Sequence, residues 1–305
     1  GDKIGSHSRL GRLWVGSILL AGTTSLPELV TTITAVRIGA PSLSWGNILG
    51  ANMLNMATLS VMLAIFLKVT FSRIHRQEQL ILGFLVIGLT IIAIGSSYLD
   101  IAAKITIISP TGGSIIVLFL LYSVFTKRTN QPSDSMHMTA ARSDSYSSRR
   151  TWIWFTFSAL GILIAAPYLA SSAQAISHYS GLSESFIGIL GLAFVTTLPE
   201  LTTTATALKI KAYDIGISNM LGTNAINIVI LAIAEIFYSG GSLFSEIDNS
   251  TVVTGLISVL LTVLMMLSLY QTQDGRKTIL NINAFTSPIL YCTTVGLVYF
   301  THVTL

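Results

Sequence analysis

The segment TTSLPELVTT at residues 23–32 places a proline and a glutamate side by side in the middle of an apolar run, and VTTLPELTTT at 195–204 does so again. Proline removes a backbone donor and interrupts a helix, and a carboxylate away from water is costly. A chain that makes this choice twice has to satisfy both segments in the same way. Shifting the sequence by 172 residues superposes them without a gap: Thr24 meets Thr196, Pro27 meets Pro199, Glu28 meets Glu200 and Thr31 meets Thr203. Further on, Asn47, Gly50, Asn52 and Asn55 fall on Asn219, Gly222, Asn224 and Asn227, and about half the positions from 24 to 55 are identical. Weaker matches, Gly16 on Gly188 and Gly83 on Gly255, extend outward.

The solvent around these segments follows from composition. Only 10% of the 305 residues are charged, 51% are hydrophobic, and the mean hydropathy is +0.72. A soluble domain carries about 25% charged residues, so the chain belongs in a bilayer and has room for roughly nine or ten spans. Apolar runs predict an all-α, polytopic chain with helices near 11–37, 43–67, 77–98, 104–126, 152–177, 184–209, 215–238, 250–270 and 280–303. The single cysteine, Cys292, excludes disulfides and thiolate metal centres. The polar opening GDKIGSHSRLGRL is not a signal peptide. Basic residues here set orientation and meet anionic lipid, with no nucleic-acid partner.

Every Lys and Arg except Arg37 and Lys104 falls in the N-terminal segment or in the loops around 68–76, 127–150, 209–214 and 271–278. The basic-loop rule puts that set in the cytoplasm and the C-terminus outside a cell membrane. Glu28 and Glu200 then lie on helices of opposite direction, as in an inverted repeat. The expected division is a first repeat over 1–126, a cytoplasmic basic polar loop over 127–151 and a second repeat over 152–305. The second repeat opens with helix 152–177, and nothing equivalent opens the first. The expectation is therefore nine helices present of a complete ten, with the first missing.

Pro27 frees the carbonyl near Thr23, and Thr24 and Glu28, four apart, share a helix face. A carbonyl, two hydroxyls and a carboxylate thus gather in each repeat: Thr24, Ser25 and Glu28 in one, Thr196, Thr197 and Glu200 in the other. Joined, they make an all-oxygen set with two negative charges, which suits hard cations such as Ca2+ or Na+. Asn47, Ala51 and Asn55 form one polar stripe, Asn219, Thr223 and Asn227 another, and Gly50 and Gly222 allow close helix approach. Each feature alone has a structural reading: a kink for Pro, back-bonding to the helix for Thr31, Thr32, Thr34, Thr202, Thr203 and Thr206, interhelical glue for the Asn stripes. Their recurrence in register favours a shared site.

TSLPEL followed by GNILGANMLN, and TTLPEL followed by SNMLGTNAIN, resemble the two alpha-repeats of the cation/Ca2+ exchanger superfamily, the Na+/Ca2+ exchanger type in particular. The resemblance implies an inverted-repeat antiporter fold of ten helices and no enzymatic activity. It implies Glu28 and Glu200 as central Ca2+ ligands, carbonyls of Thr24 and Thr196 beside them, and Ser25 and Thr197 as Na+ ligands. Asn55, Thr223 and Asn227 would complete the flanking sites, and Asn52 and Asn224 are also expected among the metal-site residues. The family pattern often has Gly where Thr23 and Val195 stand, Ser where Ala51 stands, and in some members Asp where Asn227 stands. The implied activity is alternating-access export of Ca2+ against Na+ or H+, without a cofactor, helices 11–37 and 184–209 sliding past the rest. The alternatives are a Na+/H+ or other monovalent cation antiporter, and a non-transporting ion sensor or scaffold. An intramembrane hydrolase is disfavoured, because no Ser–His or paired-Asp arrangement lies at membrane depth. Oligomeric state is left open.

Overall fold

The computed structural model describes residues 18, 20–66, 76–96, 108–129, 148–271 and 278–303. The start of the first expected span, and residues 130–147 of the basic loop, lie outside the described residues. The elements are α1 (Ala21–Thr24), α2 (Leu26–Arg37), α3 (Pro41–Phe66), α4 (Arg76–Gly95), α5 (Pro110–Thr129) and α6 (Ser148–Ser180) in the first part of the chain. Then follow α7 (Glu184–Ile187), a π-turn over Gly188–Leu192, α8 (Ala193–Thr196), α9 (Leu198–Lys209), α10 (Tyr213–Ala234), α11 (Asn249–Gln271) and α12 (Thr278–Val303). Among the described residues the chain is helical with short connections, an all-α polytopic arrangement. Six of these helices are long and apolar enough to cross a membrane, and the bent pair Glu184–Thr196 with Leu198–Lys209 makes a seventh.

The repeat reappears in the element boundaries. Adding 172 to Ala21–Thr24 and Leu26–Arg37 lands on Ala193–Thr196 and Leu198–Lys209, so both prolines break their spans at the same place. The cause is local: Pro27 and Pro199 sit in the first turn of α2 and α9, where a missing N–H costs nothing. In the second copy the two halves of the span meet at 47°. Each second half begins with its glutamate in the first turn and ends with a base, Arg37 or Lys209, so both charges suit the helix dipole.

The repeated helices α3 and α10 form the centre. In each, 72% of the apolar window is buried, against 17% in α6 and α12. Those outer helices present Phe157, Ile164, Tyr168, Phe285 and Phe300 outward, as lipid-facing surfaces do. On the other side α3 meets the 184–196 segment backbone to backbone. A β-carbon on Gly46 would lie 2.5 Å from Ser185 O, and one on Gly50 2.6 Å from Ile189 Cα. Gly188 is equally tight, 2.7 Å from Leu43 O. Small residues thus bring one repeat's central helix directly against the other repeat's broken span, as packing without a hydrophobic drive requires.

One anchor at the end of α10 was not read from sequence. Glu235 is fully buried and accepts hydrogen bonds from the Ser109 N–H and hydroxyl (both 2.9 Å) and from the Ser242 hydroxyl. It ties the start of α5 to the segment after α10, where Trp45 Nε1 donates to Leu243 O at 3.1 Å and meets Phe244 edge-on. The signal was present: Asn219, Thr223, Asn227, Leu231 and Glu235 follow at intervals of four along one face.

Candidate cation site

The two broken spans carry the glutamates to one place. Glu28 and Glu200 are both fully buried, and they are close enough for their charges to act on each other. Glu28 faces Thr196 of the other repeat, and Glu200 faces Thr24 and Ser25. These hydroxyls lie at the carboxylates, but none of the four carboxylate oxygens receives a hydrogen bond of full geometry.

The hydroxyls are turned elsewhere. Thr24 donates to Leu20 O and Ala21 O, and Ser25 to Ala21 O at 2.8 Å. Thr197 donates to Ala193 O at 2.8 Å, and Thr196 to Asn47 Oδ1 at 3.2 Å. The main acceptors of these hydroxyl protons thus lie away from the carboxylates. Two buried acids therefore lie near each other without full hydrogen bonds. A buried acceptor without a partner costs about 1–3 kcal/mol, and more if charged. A positive charge placed among these oxygens would be stabilised.

The asparagines hold this arrangement through a two-fold set of bonds. Asn52 Nδ2 donates to Asn224 O at 3.1 Å, and Asn224 Nδ2 donates to Asn52 O at 3.2 Å. Asn55 Nδ2 donates to Asn224 Oδ1 at 3.0 Å, and Asn227 Nδ2 to Asn52 Oδ1 at 2.8 Å. Asn52 and Asn224, singled out beside the ligands, thus have both ends of their amides engaged as a frame. Asn55 Oδ1, Asn227 Oδ1 and Thr223 Oγ1 are buried and without a partner. Asn47 Nδ2 donates to the Thr31 and Thr32 hydroxyls and Asn219 Nδ2 to Thr204, pinning α3 to α2 and α10 to α9. The back-bonding expected of Thr31, Thr34, Thr202, Thr203 and Thr206 is present; Thr32 instead accepts from Asn47.

Because Asn52 serves two partners, Asn52→Ala is expected to leave the Asn227 amide unpaired and to remove the second hydrogen bond to the Asn224 carbonyl. The melting temperature in detergent should fall by several degrees, corresponding to about 2 kcal/mol. A melting temperature within one degree of the parent would remove Asn52 from the frame.

A family model described as "Sodium/calcium exchanger protein" matches residues 1–127 and 150–301. The chain belongs to the sodium/calcium exchanger family. Members are transporters, not enzymes, and carry out cation/Ca2+ antiport. Among other family-like proteins, an uncharacterized membrane protein of Methanocaldococcus jannaschii is 24% identical over 277 residues, 90% of this chain and 84% of that one. A putative antiporter, CaxA, of Alkalimonas amylolytica is 24% identical over 243 residues, 78% and 74% of the two chains. The sodium-calcium exchanger NCX_Mj, soaked with Na+ and Sr2+, superposes with a TM-score of 0.65 at 21% identity, covering 97% of this exchanger and 90% of the other. That likeness extends the shared polytopic helical fold over nearly the whole chain.

Proposed function

We propose that this exchanger moves Ca2+ out of the cytoplasm in return for inward Na+. The observation that carries the reading is the pair of buried, mutually facing carboxylates with no hydrogen bond of full geometry on any of their oxygens. Glu28 and Glu200 hold Ca2+ between them, with the carbonyls of Thr24 and Thr196 adding oxygens at the C-terminal, negative ends of α1 and α8. Ser25 and Thr197 offer hydroxyl lone pairs to Na+, and Asn55, Thr223 and Asn227 offer the flanking oxygens. Asn52 and Asn224 keep the two halves in register. Both ions draw on the same two carboxylates, so they occupy the site in turn, and a carrier that crosses only when charged with one or the other couples their gradients. The basic loops, the 127–151 segment among them, face the cytoplasm of a cell membrane, and the C-terminus faces out.

The relatives support this reading: one is called a putative antiporter, and a solved neighbour was soaked with Na+ and Sr2+, a divalent ion larger than Ca2+. The deciding experiment is uptake of radiolabelled Ca2+ into vesicles carrying the purified protein, loaded with Na+ at uniform pH or given a pH gradient without Na+. Uptake is expected from Na+-loaded vesicles alone. Uptake driven only by the pH gradient would make the counter-ion H+, and uptake driven by neither would end the antiport reading in favour of an ion sensor or scaffold. Ion binding has its own readout: Ca2+ at about 100 times its Kd should stabilise the protein by about 2.7 kcal/mol. Thermal unfolding in detergent with Ca2+ and with Mg2+ measures this, and Mg2+ should give little, since it demands a tighter octahedron.

A further inference from the structure

At the face opposite the basic loops, three connections end close together. The turn 38–40, with Gly39 at φ +79°, leads from α2 into α3; the turn at Gly181, φ +71°, leads from α6 into α7; and Asp248 precedes α11. The start of α7 is fixed there. Gly46 and Gly188 leave no room for a β-carbon between it and α3, and the Ser185 hydroxyl donates to Asp248 Oδ2 at 2.8 Å. Asp248 Oδ1 in turn accepts from the Thr251 N–H at 2.7 Å, which adds the start of α11 to the same corner. The outer end of α6 is held differently. This helix lies along α2 and turns most of its apolar window outward. Against the corner it meets a small cluster, separate from the main core, made of Ala35, Ala40, Leu43, Ala173 and Leu192. Alanines bury little area, so the cluster holds α6 weakly.

Gln174 of α6 spans the gap beside that cluster. Its Nε2 donates to Ile38 O at 3.3 Å, and its amide also lies at the half-buried Glu184 carboxylate. That carboxylate lies at the Leu43 N–H in the first turn of α3, where a helix has N–H groups to spare and favours negative charge. The neighbouring base, Arg37, lies over the Phe237 ring at 5.2 Å. The register mates of Gln174 and Glu184 are Asp2 and Arg12. An arginine has no acceptor to offer a helix N–H, so the opposite face does not repeat this chemistry. Resting on the antiport and orientation readings above, we propose that Gln174 and Glu184 form an outer clasp, a pair of positioning side chains that ties α6 and α2 to the fixed corner of α3 and α7 and keeps access from outside shut until it parts. Glu184 stands sixteen positions before Glu200, away from the ion site. A clasp on one face only sets the balance between states open to the outside and to the inside. Its strength therefore shifts the apparent affinities on the two sides against each other.

The experiment measures half-saturating Ca2+ from the outer and from the inner side, in vesicles of defined orientation, for Gln174→Glu and Gln174→Lys. Carboxylate against carboxylate parts the clasp, so Gln174→Glu is expected to lower the outer-to-inner ratio of the two values about fivefold, the lower end of coupling between distant sites. An ammonium in the same place tightens the clasp, and Gln174→Lys is expected to raise the ratio. Damage to packing alone would move both variants the same way; that result, or an unchanged ratio, would overturn the proposal. A parent protein that transports from neither side would end the antiport reading instead, and the clasp is then decided by hydrogen exchange in detergent without Ca2+. Amides of 40–45 and 182–187 are expected to exchange about tenfold faster in Gln174→Glu than in the parent, with those of 210–217 unchanged. Equal exchange at the outer segments would show that no clasp is there to part.

Discussion

Glu28→Gln and Glu200→Gln are each expected to abolish Na+-driven Ca2+ uptake into vesicles, a loss of at least about a hundredfold, while the proteins still fold. The amide has the size of the acid and removes one of only two charges. Coulomb attraction to a divalent ion at contact is many kcal/mol at the reduced dielectric of a protein interior, so losing half of it exceeds what rearrangement restores. Each factor of ten in affinity is only about 1.4 kcal/mol. The substitution also makes the apo protein easier to form, because two facing carboxylates without full hydrogen bonds repel each other in the folded state. A raised melting temperature without ions, together with a lost Ca2+ shift, is the expected signature. Normal uptake in both variants would remove the glutamates from the transport cycle.

Gly50→Ala carries the largest expected structural effect. The added carbon would lie 2.6 Å from Ile189 Cα and 2.9 Å from Ile189 O, both backbone atoms that no side-chain rotation can clear. Overpacking of well-packed interiors costs about 1–3 kcal/mol, and here relief requires moving α3 away from the 184–196 segment that leads into Thr196 and Glu200. The variant is expected to lose about 3 kcal/mol, read as a large drop in melting temperature or in folded yield from the membrane. Gly88→Ala, with nothing within 4 Å of the added carbon, is the matched control and should behave as the parent. Equal stability of the two variants would show that the helices do not cross as closely as Gly46, Gly50 and Gly188 indicate.

Much of this was legible beforehand, for reasons that differ by residue. The breaks at Pro27 and Pro199 and the convergence of Glu28 with Glu200 follow from local chemistry stated twice, so an offset of 172 carried both position and partner. The back-bonding threonines were legible because a hydroxyl in an apolar helix has a carbonyl within reach of its own turn. The asparagines were harder. Spacing put Asn47 with Asn55 and Asn219 with Asn227, but it did not separate those whose amides are used up, Asn52 and Asn224, from those with an open oxygen. That depends on which helix lies opposite, a tertiary fact. Glu235 was missed because its partners, Ser109 and Ser242, lie outside the repeat motifs and nothing local connects them.

The reciprocal bonds between Asn52 and Asn224 also bear on how the two halves of this gene product have been allowed to diverge. Each amide donates to the backbone carbonyl of its own duplicate, an acceptor that any residue at that position would still offer, so each bond stands independently of the other's side chain. Around this join the copies differ: Trp45 corresponds to Ile217, Gly46 to Ser218 and Leu63 to Glu235. Ala51 and Thr223 are also mates in the duplication, and there one copy carries a methyl group and the other a buried hydroxyl without a partner. The join between the halves thus rests on backbone atoms that both copies possess whatever side chains they carry, and individuality enters around it.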